Sequence, residues 1–146
     1  MKKNIAFLCV SIVFFISVSA QNNKAKNPVI YADVPDMSII RVGGTYYMSS
    51  TTMHMNPGVP IMKSNDLVNW KLINYAYETL EDNDDKLNLD NGKNDYGRGS
   101  WASCLRYQNG IYHVSTFSGT TGKTYIFSTK NLEKGPWKKT VLNTSY

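Results

Sequence analysis

Residues 36–67, moved forward by 65 positions, fall on residues 101–132 without a gap. Seven of the 32 paired positions are identical: Ser38/Ser103, Arg41/Arg106, Tyr47/Tyr112, Ser50/Ser115, Thr51/Thr116, Ile61/Ile126 and Leu67/Leu132. Chance gives about two at ordinary residue frequencies. Pairs of like type add to these, among them Ile40/Leu105, Tyr46/Ile111, Met62/Phe127 and Asp66/Asn131. Each copy closes on a tryptophan, Trp70 and Trp137, with two extra residues before the second. A repeat of this kind is one supersecondary unit that cannot bury its apolar face alone. The chain is therefore expected to stack like units against one another.

Each copy holds four short runs rich in Ile, Val, Tyr, Phe and Thr, the residues that suit a pleated, half-buried surface. In the first copy the runs are 38–42, 45–52, 60–64 and 70–73. In the second they are 103–107, 111–118, 124–129 and 137–142. Turn signals separate them, notably Gly43-Gly44, Asn65-Asp66 and Asn109-Gly110. No stretch carries a helical period, so the class is all-β. Four antiparallel strands per unit, repeated, are the pattern of a β-propeller blade, with blade one at 36–73 and blade two at 101–142. A single eight-stranded β-sandwich is the alternative. Residues 74–100, rich in Asp, Asn and Gly, read as a polar surface excursion between blades. A propeller closes with at least about four blades. The chain is accordingly expected to be the amino-terminal piece of a longer protein, or to find its missing edges elsewhere, since open strand edges invite aggregation.

Residues 1–20 have the form of a signal peptide: Lys2 and Lys3, an apolar run from Ile5 to Val18, then small residues at Ser19 and Ala20 before Gln21. The apolar run is short of the roughly 20 residues a membrane span needs. Cleavage there leaves 21–146 as a partial propeller, secreted or periplasmic, with no membrane span. Its remaining Lys and Arg are scattered and form no basic stripe interleaved with aromatics, which argues against nucleic acid as a partner. Cys104 is then the only cysteine, so no intrachain disulfide forms. Two histidines 59 residues apart, His54 and His113, make no metal-ligand cluster. Asp82-Asn83-Asp84-Asp85 lacks the glycine and the closing glutamate of a calcium loop.

The innermost strand of each propeller blade lines the central channel, so the start of that strand is where a ligand is met. Here it is Asp36 in one copy and Trp101 in the other, related by the repeat. A carboxylate that can activate water and an aromatic face that can stack on a sugar ring suit a carbohydrate site. Taken alone, Asp36 also reads as a turn residue, Trp101 as core, and Asp33 as a competing carboxylate.

The run Val34-Pro35-Asp36-Met37-Ser38-Ile39-Ile40-Arg41-Val42-Gly43, followed by Tyr46-Tyr47, resembles the opening of glycoside hydrolase family 43. Pro57-Gly58-Val59-Pro60-Ile61, Ser64-Asn65-Asp66-Leu67-Val68-Asn69-Trp70 and Gly99-Ser100-Trp101-Ala102-Ser103 resemble its next blocks in the same order. Met37 and Ser103 stand where the family usually has proline. The resemblance implies a five-bladed propeller, of which this chain supplies about the first two blades. It also implies inverting hydrolysis of glycosidic bonds in hemicellulose, as a β-xylosidase or α-L-arabinofuranosidase, with an oligo- or polysaccharide of xylan or arabinoxylan type as partner. Asp36 matches the family's general base. Trp101, Met53 and His54 match its sugar pocket, and Tyr96 and Arg98 stand close to it in sequence. The second aspartate and the acidic glutamate lie further along in that family, so these residues alone are expected to be inactive. No cofactor is implied; the calcium that some members hold in the channel cannot be assigned to residues here. A sugar-binding propeller without catalysis and a purely structural propeller are the competing functions.

Overall fold

The computed structural model describes residues 25–144, Met55 and Asn83 excepted. The signal-peptide expectation for 1–20 lies outside the described residues. The chain forms β1 (Ser38–Val42), β2 (Thr45–Ser49), β3 (Gly58–Ser64), β4 (Lys71–Tyr77), a short helix α1 (Asp85–Asn88), β5 (Ser100–Gln108), β6 (Ile111–Ser118), β7 (Lys123–Thr129) and β8 (Lys138–Leu142). The strands make two separate antiparallel sheets, in the orders β1-β2-β3-β4 and β5-β6-β7-β8. These are two meandering propeller blades, not the two layers of one sandwich. The first strand of blade two meets blade one: Ser38 Oγ of β1 accepts from the Leu105 amide at 3.0 Å, and Ser103 Oγ donates to Ser49 Oγ of β2 at 2.8 Å.

The repeat is real, but its spacing changes along the blade. Gly43-Gly44 is closed by the Val42–Thr45 pair and Asn109-Gly110 by the Gln108–Ile111 pair, so the two hairpin turns lie 66 residues apart. Gly43, Asn109 and Gly110 take positive φ, as two-residue hairpin turns require. The uniform 65-residue offset is thus off by one through the first hairpin, and a one-residue slip exchanges the two faces of a strand. The counterparts of Ile39 and Met48 are Leu105 and Val114. By the third strand the spacing is back to 65, since Met48 pairs with Met62 and Val114 with Phe127. At the start of β5 a bulge between Ser100 and Ser103 absorbs the extra residue. Pro35 and Ser100, and with them Asp36 and Trp101, return to one level.

The core lies between the blades. Val59, Ile61, Ala76 and Tyr77 of the first meet Leu105, Val114, Tyr125, Phe127 and Leu132 of the second. Tyr77 stacks on Phe127 with ring centroids 5.3 Å apart. The strand β4 continues four residues past the expected end at Ile73. Asn74 turns its polar end to the Leu132 carbonyl at 3.0 Å, and Tyr75 and Tyr77 pair back onto Pro60 and Gly58. The inter-blade segment is not the wholly polar excursion that its composition predicts. Leu80 and Leu87 are buried in the core, and Asp84 caps α1 by accepting from the Lys86 and Leu87 amides. Two leucines in a run of Asp and Asn anchor it, and the pattern is too short for periodicity to reveal.

Candidate active site

The ends of β2, the segment before β1 and the start of β5 converge, and Thr51 joins them. Its amide donates to the Pro35 carbonyl at 3.2 Å. Its hydroxyl donates to the Ser100 carbonyl at 2.7 Å. Asp36 and Trp101 are the residues immediately after those two carbonyls, so one threonine holds the attachment points of both. Ser100 is fixed further: its amide donates a hydrogen bond to the Met53 carbonyl at 2.7 Å, and its Oγ accepts one from the Tyr77 hydroxyl at 2.6 Å. Gly99 is required here, because a Cβ would stand 2.0 Å from the Met53 carbonyl oxygen.

Asp36 is exposed, in a bend with φ 51°, two residues before β1. Trp101, second in β5, is 42% exposed and so is not core. Its indole donates to the Gly97 carbonyl at 3.2 Å, its carbonyl accepts from the Thr116 hydroxyl at 2.7 Å, and Phe117 meets it edge-on. Met53 is half-buried with φ 54°, and bridges to Ser100. Non-glycine residues held at positive φ are uncommon and costly, and they cluster at ligand sites. His54 is half-buried beside the ring of Tyr96, with centroids 5.0 Å apart, and its Nδ1 is buried without a hydrogen-bond partner among the described residues.

Met53, His54 and Tyr96 line a cavity of about 770 Å³, together with Asp33, Pro35 and Thr52. Asp36 and Trp101 are not in its wall. The site therefore has two parts: an open shelf carrying the carboxylate and the indole, and a recess beside it, with Met53 and the Thr51–Ser100 junction between them. Arg98 does not line the recess and donates to the Gly119 carbonyl at 3.3 Å. His113 is structural, with Nδ1 3.0 Å from Ser128 Oγ. The buried hydroxyls of Thr51, Ser100 and Tyr77 were not singled out from the sequence. The run Ser49-Ser50-Thr51-Thr52 is wholly hydroxylic in the sequence, and the structure buries Ser49, Ser50 and Thr51.

No group of three or more His, Cys, Asp or Glu side chains among the described residues is placed to hold a metal ion. In the acidic run, Asp84 caps α1 and Asp85 pairs with Lys93 at 2.8 Å, so these carboxylates do not fit a calcium loop. No described helix is long and apolar enough to cross a membrane.

Residues 25–145 match the model of glycosyl hydrolases family 43, and the chain belongs to that family. It is 36% identical over 120 residues to a β-xylosidase of Formosa agariphila, covering 80% of this chain and 19% of the relative. It is 33% identical over 144 residues to a non-reducing end α-L-arabinofuranosidase of Bacteroides ovatus, covering 97% of this chain and 26% of the relative. Among solved structures, a bifunctional GH43-CE protein of Bacteroides eggerthii is 74% identical with a TM-score of 0.78, over 84% of this chain and 16% of that one. The chain thus spans about a fifth of these relatives. The two sheets are the first two blades of the five-bladed propeller that the family resemblance implies.

Proposed function

We propose that these residues form the water-activating half of a hemicellulose glycosidase that inverts the anomeric centre, acting on xylosidic or arabinofuranosidic bonds. The observation that supports this is the Thr51 junction, which ties the residue before Asp36 to the residue before Trp101 at one end of adjacent inner strands, with both Asp36 and Trp101 exposed. Asp36 takes the proton from the attacking water. Trp101 offers its face to the sugar ring, while Met53 gives an apolar edge and His54 a polar one. The names of the relatives, β-xylosidase and arabinofuranosidase, support the substrate class. An inverting site needs a second carboxyl group roughly 6.5–9.5 Å from the first, with room for water between them, and we assign it to later blades. The apolar run of 1–20 supports export to the periplasm or cell exterior, where such polysaccharides are met.

The test is a graft of residues 25–144 in place of the matching segment of the Bacteroides eggerthii protein. The graft is expected to cleave an aryl β-xyloside or an aryl α-L-arabinofuranoside with inversion, visible by NMR of the first-formed sugar. The 146 residues alone are expected to cleave neither above background. Cleavage by the isolated chain, or retention of configuration by the graft, contradicts the proposal.

A further inference from the structure

We propose that the hydroxyls of Thr51 and Tyr77 are positioning groups that set the Trp101 platform relative to Asp36 by locking the peptide at Ser100. The inference rests on the sugar-site reading above and adds to it two residues that need touch no ligand. Ser100 is fully buried, and its partners come from elsewhere in the fold. Its carbonyl takes the Thr51 hydroxyl, its amide reaches the Met53 carbonyl, and its side chain takes the Tyr77 hydroxyl. Thr51 Oγ1 also accepts from the Met53 amide at 3.3 Å. Thr51 thereby ties four residues, Pro35, Met53, Ser100 and itself, into one unit, with Asp36 and Trp101 attached at its two ends.

Tyr77 comes from the last strand of blade one and reaches across to the first residue of blade two. The route is kept open by Gly58, where a Cβ would fall 2.0 Å from the tyrosine ring. The ring is held from the other side by Phe127. Burial pushes the Tyr77 hydroxyl's pKa above its ordinary value, so it stays a proton donor across the working pH range. A buried donor and acceptor pair of this kind is costly to break from one side only, which is what makes the lock stiff.

The experiment uses the full 146-residue chain, isotopically labelled for NMR and titrated with xylobiose and arabinobiose. Thr51→Val keeps the shape and removes the hydroxyl; Thr51→Ser keeps the hydroxyl. Tyr77→Phe breaks the lock from the other side and serves if Thr51→Val does not fold. In Thr51→Val and Tyr77→Phe the Ser100 amide is expected to exchange about tenfold faster, the size of one net hydrogen bond. The Trp101 indole N–H signal is expected to move, and the sugar affinity read on it to fall about tenfold. Thr51→Ser is expected to restore exchange and affinity to within about twofold of the starting protein. A Trp101 signal, Ser100 exchange and sugar affinity all unchanged in Thr51→Val and Tyr77→Phe overturn the proposal. If neither sugar perturbs Trp101 in the unsubstituted chain, the sugar-site reading fails, and the positioning claim is then decided by the Ser100 exchange and the indole signal alone.

Discussion

Asp66 accepts four hydrogen bonds within a single turn, from the Ser64 hydroxyl, the Val68 and Asn69 amides and the Asn69 side chain. These bonds favour its ionised form and hold the carboxyl far below the usual range, with the Asn69 amide the largest cause. In the second blade Asn131 fills the same place, accepting from the Glu133 and Lys134 amides through a neutral oxygen. The Asp/Asn pair of the repeat is therefore a turn device, legible as a match in type but not as a role. Because the folded-state pKa of Asp66 is depressed, its contribution to stability is full above the ordinary carboxylate value of about 4 and fades as pH falls towards the folded value. The melting-temperature gap between the unsubstituted chain and Asp66→Asn should accordingly be widest near neutrality and narrow steadily from pH 4 to pH 2. A gap that stays constant over that range contradicts the turn assignment. Other residues of the site were less legible. Trp101 alone reads as core, and only its place at the bulge exposes it. Thr51 and Tyr77 carry nothing in their identity that predicts a shared partner, because that partner is assembled by blade packing.

At the scale of the element, the eight strands follow from composition and turn residues, and two of them, β1 and β6, have the bounds that the sequence predicts. What the sequence hid is register. The five identities of the first hairpin pair residues on opposite faces, because blade two spends one extra residue before its turn and recovers it in the bulge. Identity at one offset cannot distinguish a straight repeat from a slipped and corrected one. The inter-blade segment was hidden for a different reason: two leucines suffice to pin it. Leu80 is 1% exposed, and Leu80→Ala removes a buried side chain that the surroundings cannot fully replace. It should lower stability by about 2–4 kcal/mol, measured by urea unfolding. A change below about 0.5 kcal/mol, the size seen at ordinary surface sites, marks the segment as the loose excursion that its composition suggests.

Across the whole molecule, the two blades present like faces to unlike surroundings. Leu105 and Leu132 are 0% and 3% exposed against blade one, while their counterparts Ile39 and Leu67 are 44% and 45% exposed. A groove of about 410 Å³ runs there, lined by Val29, Ile30, Val34, Met37, Met48 and Trp70 among others. Val141 and Leu142 leave apolar surface on the far strand of blade two as well. Exposed apolar faces of this extent promote association. The 146 residues expressed alone are expected to bind a hydrophobic dye or self-associate in sedimentation; a dye-free, monodisperse monomer runs against this. The central proposal is chemical: that Asp36, and not Asp33, activates the water. It is tested most directly by the turnover of Asp36→Asn and Asp33→Asn in the Bacteroides eggerthii graft, each compared with the unsubstituted graft on the same aryl glycoside. General-base catalysis is typically worth about 10²–10⁴-fold. The account predicts a loss of that size in kcat for Asp36→Asn with KM little changed, because Trp101 and Met53 still hold the sugar, and at most a severalfold loss for Asp33→Asn. Full turnover in Asp36→Asn, or a greater loss in Asp33→Asn, contradicts it.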